Sequence, residues 1–178
     1  MIYVNSSGVS IIGLNISKKS DELGSIGIFV RSDTICNNIT NISHNYIYNY
    51  PRGILIENCD GRINLNDNHI LIPSSGQCAQ TEPWWGGIGL IRCNNSTITS
   101  NIIEGLDRRG HFTDGIYIKS SNDIEVYNND FINLKCGIIV VGNPNRIRND
   151  PCSPNNSFER VNMRYADNIN PIDLCNRW

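Results

Sequence analysis

The sequence lacks an excess of positive charge: 15 Lys and Arg stand against 17 Asp and Glu in 178 residues, a formal net charge of −2. That balance argues against a nucleic-acid partner, which is met by a basic stripe. No apolar run is long enough to span a bilayer, and the hydrophobic share of 39 % is ordinary for a folded chain. A basic n-region is also missing: Met1 is followed directly by Ile2-Tyr3-Val4, so no signal peptide is expected. Charged residues of either sign make up only 18 %, so a place where they crowd together stands out. By length the chain is one domain.

What is present is a repeat, shown best by the stretch from Asp114 to Cys136. Ile116 and Ile118 alternate with Tyr117 and Lys119, the period of a strand. A polar turn follows at Ser120 to Asp123, then a second short strand in which Ile124 and Val126 alternate with Glu125 and Tyr127. Asn128-Asn129 makes a tight corner, Phe131 opens a third strand, and Gly137-Ile138-Ile139-Val140 begins the unit again. Equivalent starts are Met1, Gly27, Gly53, Gly87, Gly115 and Gly137, at spacings of 26, 26, 34, 28 and 22 residues. The corner asparagine recurs as Asn45, Asn68, Asn101 and Asn129, each two residues before an apolar side chain; the first unit carries Leu14 there. A unit of this size built only from short strands predicts a solenoid. Asn suits the corner because it tolerates left-handed backbone and its amide can bond backbone above and below. Phasing of the Asn with the Ile positions argues against a low-complexity Asn-rich segment.

Three strands per coil, an Asn ladder at one corner and long insertions at another resemble the right-handed parallel β-helix of the pectate-lyase and polygalacturonase superfamily. The resemblance covers about residues 1 to 142, and it implies an all-β fold of about six coils. Inward positions are expected at Ile28, Val30, Ile54, Ile56, Ile88, Leu90, Ile116, Ile118, Ile138 and Val140. Residues 143–178 hold Pro144, Pro151, Pro154 and Pro171 and little periodicity, and read as an irregular tail capping the last coil, with Phe158 and Val161 among its covering side chains. The chain begins inside a coil, since Ile2-Tyr3-Val4-Asn5-Ser6-Ser7 matches Ile116 to Ser121. An open coil exposes unpaired strand edges, so a longer parent protein, or self-association through the N-terminal coil, is expected. Among the seven cysteines, Cys59 and Cys93 each lie six residues after a coil start and read as a reduced, stacked core pair. Cys152 and Cys175 lie outside the repeat, where a disulfide can close the tail.

The longest insertions, Pro73 to Gly86 and Glu104 to Asp114, leave the rod at one edge, one above the other. In enzymes of the fold this chain resembles, the first sheet and these loops line a polysaccharide cleft. The first strand would then present Phe29, Leu55, Gly89, Tyr117 and Ile139 in one outward column, and Arg31, Glu57, Ile91, Lys119 and Val141 in the next. Trp84, Trp85 and Tyr117 are expected to stack on sugar rings; packing of a Trp onto the rod is the plainer reading for one of the two. Asp107, Arg108, Arg109, His111 and Asp114 form the densest charged cluster and offer a base, an acid and cations for a carboxylate. A solvated loop with local ion pairs accounts for it equally well. Arg31 and Glu57 are most simply a cross-strand ion pair, with a substrate contact as the alternative. His44 and His69 lie by the Asn corner, away from the cleft.

Thr113-Asp114-Gly115 is similar to the Asn-Thr-Asp-Gly motif of polygalacturonases, with Phe112 in place of Asn. The Asp pair that follows in those enzymes is replaced by Leu134-Lys135-Cys136. Inverting hydrolysis requires two placed carboxyl groups, so that mechanism is disfavoured. Resemblance to pectate lyases implies Arg108, Arg109 or Lys119 as base; resemblance to mannuronan epimerases implies His111 and Asp114. The cofactor stays open, although Glu104, Asp107 and Asp114 are oxygen donors of the kind that hold Ca2+. The expected partner is an acidic polysaccharide and the expected setting extracellular or at a cell surface. A non-catalytic glycan-binding module, as in adhesins or phage tail spikes, and a purely structural rod are the other readings.

Overall fold

In the computed structural model, the residues described are 1–6, 8–18, 25–32, 38–59, 61–73, 86–106, 113–141, 155–161 and 163–167, the last as backbone only. They contain eighteen strands and no helix. The first coil holds β1 (Ile2–Asn5), β2 (Ser10–Ile12) and β3 (Asn15–Ser17), and the second β4 (Ile26–Arg31), β5 (Thr40–Ser43) and β6 (Tyr46–Tyr48). The third holds β7 (Arg52–Glu57), β8 (Ile63–Asn66) and β9 (His69–Ile72), and the fourth β10 (Gly86–Ile91), β11 (Asn94–Thr99) and β12 (Ile102–Gly105). The fifth holds β13 (Asp114–Lys119), β14 (Asn122–Tyr127) and β15 (Asp130–Ile132). Then come β16 (Cys136–Val141), β17 (Ser157–Glu159) and β18 (Met163–Asp167).

Each strand pairs in parallel with the equivalent strand of the next coil. Among the described residues this gives sheet A in the order β1-β4-β7-β10-β13-β16-β18, sheet B as β14-β11-β8-β5-β2, and sheet C as β17-β15-β12-β9-β6-β3. The result is a three-sided parallel β-helix solenoid. Register follows the sequence repeat: Ile28 stands on Ile54, Ile88 on Ile116, and Ile116 on Ile138. All ten expected inward side chains of sheet A are buried, none exposed beyond 4 %. One continuous core joins them to Ile42, Leu65 and Ile98 of sheet B and to Ile47, Ile70, Ile103 and Phe131 of sheet C. Every such Ile contributes roughly 1.5–3 kcal/mol by leaving water.

The repeat runs further than its pattern suggests. Within the segment read as an irregular tail, β17 pairs with β15 and β18 with β16. Phe158 stacks on Phe131 with ring centroids 5.1 Å apart, and Phe158 and Val161 pack on the core as expected of a cover.

The Asn ladder is present and gains a member. The Asn68 Nδ2 donates to Asn101 Oδ1 at 2.9 Å and to the Ile42 carbonyl at 2.9 Å; Asn101 repeats both contacts with Asn129 Oδ1 and the Leu65 carbonyl. Asn45 continues the column onto Asn68, and Asn129 continues it onto Asn156, a residue beyond the region read as repeat. Leu14, which has no amide to offer, donates its backbone N–H to Asn45 Oδ1 at 3.0 Å. The left-handed residue, however, is not the ladder asparagine. It is the one before it: His44, Asp67, Ser100 and Asn128, all with φ between 54° and 57°. The asparagine side chain therefore serves to hold the rungs together rather than to relieve backbone strain.

Cys59 and Cys93 are free and buried, as read. The Cys93 backbone N–H donates to Ser121 Oγ at 3.0 Å, so the slot passes from thiol to hydroxyl up the stack.

Candidate functional site

The edge from which the long insertions leave is the corner between sheets C and A. Four coils re-enter sheet A through a glycine, Gly27, Gly53, Gly87 and Gly115, and there is no room there for a side chain. A Cβ on Gly53 would stand 2.5 Å from Ile70 Cγ2 and 2.6 Å from the Gly87 carbonyl oxygen; one on Gly87 would stand 2.5 Å from Ile103 Cγ2. This close fit sets the direction of each first strand and so decides which side chains reach the outward face.

On β13 those side chains are Asp114, Tyr117 and Lys119. Asp114 stands in register between Gly86 below and Cys136 above. Its carboxyl is raised from 3.8 to about 7 because burial penalises the charge, an effect that the positive Lys135 partly offsets. Lys135 is held beside it by its backbone N–H, which donates to the Thr113 carbonyl at 2.9 Å. The Tyr117 phenol is pushed up, by burial first and then by the charge of Asp114. A carboxyl that exchanges its proton near neutrality is suited to general acid or base work.

The outward columns fall in the expected register: Phe29, Leu55, Gly89, Tyr117 and Ile139 in one, and Arg31, Glu57, Ile91, Lys119 and Val141 in the other. Their environment differs from an open platform. Tyr117 is 6 % exposed and Leu55 3 %, and with Ile26 they form an apolar cluster on which Phe29, Ile91, Ile139 and Val141 also pack. Gly89 lies between Leu55 and Tyr117 in the column and contributes no side chain. The Tyr117 ring, expected to stack on sugar, is packed within this cluster.

Arg31 and Glu57 are register neighbours, the first exposed and the second half-buried. Trp84, Trp85, Asp107, Arg108, Arg109 and His111 lie outside the described residues, as do Cys152 and Cys175. Among the described residues no three His, Cys, Asp or Glu side chains come together as metal ligands. His44 and His69 are at the Asn corner as expected: His44 lies 3.8 Å from Asp67, and the His69 ring meets the Tyr46 ring edge-on at 5.2 Å.

Sequence reasoning passed over a concave surface. It is a groove of about 300 Å³ on the outward face of sheet B. Its signal was the alternation Ile63-Asn64-Leu65-Asn66 and Ser96-Thr97-Ile98-Thr99, whose polar partners share one face.

These features define a class, the three-sided parallel β-helix with an internal amide ladder. Comparison with protein-family models, with curated proteins and with solved structures returned no match.

Proposed function

We propose that this protein is a carbohydrate-active β-helix of the pectate-lyase and polygalacturonase type, and that it engages an acidic polysaccharide on the outward face of sheet A. One observation carries the reading: Asp114, its carboxyl raised to about 7 by burial, opens the strand that Lys119 closes. In a uronate the proton on the carbon beside the carboxylate is the acidic one. Asp114 takes that proton, and Lys135, the cation beside it, offsets the charge that builds on the carboxylate. Elimination then breaks the bond from C4 to the glycosidic oxygen as the C4–C5 double bond forms, the leaving oxygen takes a proton from water, and an unsaturated uronate end remains; delivery of a proton from water to the opposite face of C5 gives epimerisation instead. Neither route needs the second carboxyl group that inverting hydrolysis requires.

A specific observation favours a second reading, a non-catalytic glycan-binding or structural module. Leu55 and Tyr117 are buried in the column where substrate would lie. Incubation with pectate, alginate and glycosaminoglycans, followed by ultraviolet absorbance of new unsaturated ends and by proton NMR for epimerised residues, separates the two. Turnover that Asp114→Asn abolishes while glycan binding persists supports the enzyme. Binding of an acidic glycan with no new ends and no epimer supports the glycan-binding module, and absence of both turnover and binding leaves only the structural module.

A further inference from the structure

The face of sheet B that looks away from the core carries two columns. Ser10, Asn41, Asn64, Thr97 and Glu125 follow one another up the first. Ile12, Ser43, Asn66, Thr99 and Tyr127 follow one another up the second. The middle rungs therefore bear short amide and hydroxyl side chains, repeated at the strand spacing of about 4.8 Å. Around them stand longer groups. Arg62 and Asp67 flank β8 at its two ends, and Glu125 and Tyr127 rise from the rung above. A flat sheet with short side chains in the middle and long ones at its margins is concave, which is the origin of the 300 Å³ groove. Downward, the first column stays short and polar through Asn41 to Ser10, so the floor continues along the rod axis.

The floor chemistry selects a ligand. Asn and Thr side chains each donate and accept hydrogen bonds, as sugar hydroxyls do. The margins carry both signs, Arg62 against Asp67 and Glu125, so neither a polyanion nor a polycation is favoured by charge. Asp67 is already engaged: Asn66 Nδ2 donates to it at 2.8 Å, and His44 lies 3.8 Å away. That contact also sets the orientation of the Asn66 amide at the groove. Tyr127 supplies an aromatic face at one end, which suits the apolar face of a pyranose while its hydroxyl stays wet. Few apolar atoms line the floor, which disfavours a hydrophobic peptide or a lipid.

We infer that the outward groove of sheet B is a binding site for a neutral oligosaccharide lying along the rod axis, separate from the sheet A face. The periodic floor gives one set of hydrogen-bonding groups per rung, and a linear glycan presents one set of hydroxyls per sugar. This site does not depend on the reaction proposed for Asp114: it lies on another side of the triangle and uses none of its residues.

The test is calorimetric titration of the purified chain with cellohexaose, xylohexaose, mannohexaose and maltohexaose, with oligogalacturonate in parallel. At least one neutral hexasaccharide is expected to bind with a Kd on the order of 1 mM or tighter. The double substitution Thr97→Val and Thr99→Val keeps side-chain shape and strand preference and removes the hydroxyls; it is expected to weaken binding about tenfold or more. Tyr127→Ala, with folding checked by circular dichroism, is a second and independent probe of the same groove. Asp114→Asn is expected to leave neutral-glycan binding unchanged. The inference is overturned if no neutral hexasaccharide binds, if binding survives both groove variants at full strength, or if Asp114→Asn abolishes it. Loss of oligogalacturonate binding alone in Asp114→Asn bears on the sheet A proposal and leaves this one standing.

Discussion

Sheet C is entered through one kind of corner and left through another. The entry corner is a left-handed residue followed by an asparagine, and its side-chain amides bond from rung to rung. The exit corner is a glycine whose missing side chain lets the backbone press against Ile47, Ile70, Ile103 and Phe131. The entry corner keeps one length through the stack, because every amide has to reach the rung above and the rung below. What precedes the exit corner varies: 8, 3, 13, 8 and 3 residues separate the successive strands of sheets C and A. Only the glycine itself has to fit there, so chain inserted before it costs the stack little. A corner built on side-chain bonds fixes length, and a corner built on close approach tolerates insertions. That contrast is why the longest insertion falls between β9 and β10, before an exit glycine.

The contrast breaks most severely at the exit. Gly87→Val puts a branched side chain 2.5 Å from Ile103 Cγ2 and 2.9 Å from the Gly115 carbonyl oxygen. The expected cost is about 3 kcal/mol or more, as for severe overpacking, read as a lowered urea midpoint or loss of soluble protein. Wild-type stability in this variant would show that the exit corner has room after all.

At the entry, Asn101→Ala removes the acceptor used by both the N–H and the side-chain amide of Asn68, and leaves the Leu65 carbonyl short of a donor. The expected loss is on the order of 1–3 kcal/mol from unsatisfied buried groups. Thermal melts of this variant beside wild type decide it, and an unchanged midpoint would reduce the ladder to ornament.

Asp114 sharpens the comparison through pH. Its carboxyl is raised from 3.8 to about 7 in the folded chain, so between those values the folded state holds a proton that the unfolded state has lost. The contribution of this group to stability is fully present below about pH 4 and is lost as pH rises through about 7. Asp114→Asn is expected to flatten that decline. Urea titrations at several pH values measure it; parallel curves for variant and wild type would contradict the burial of the carboxyl. Removing the nearby charge with Lys135→Ala is expected to raise the Asp114 value further, visible by NMR titration.

The smallest effect concerns backbone preference. Ser100 holds φ at 56° just before the ladder residue, and Asn visits that region more readily than Ser. Ser100→Asn is therefore expected to gain a few tenths of a kcal/mol, about 0.5 at most. A clear loss in the melting midpoint would mean that the hydroxyl contact between Ser100 and Thr99 at 3.3 Å matters more than the backbone.

The sequence by itself determined the solenoid, its three strands per coil, its register and its inward columns. Those follow from local alternation and from a repeat that aligns each Ile with the Ile one coil away, so no distant information was needed. It also marked four of the five ladder asparagines. Asn156 escaped because the chain between Val141 and Asn156 lacks the phased apolar positions that announced the others. The candidate site was only partly legible: the placement of Tyr117 and Lys119 on one outward strand face was readable from alternation. Burial of Tyr117 and Leu55 was not, because alternation tells in from out but not whether the outer face is covered. The sheet B groove was invisible for a related reason, since a concavity comes from the relative heights of side chains on neighbouring rungs. Tertiary structure alone decided which residue at each corner takes the left-handed turn, why glycine is required at each exit, and how far burial moves the Asp114 carboxyl. Each of these depends on what the adjacent coil places within a few ångströms, and contacts between coils are written by stacking rather than by any one stretch of chain.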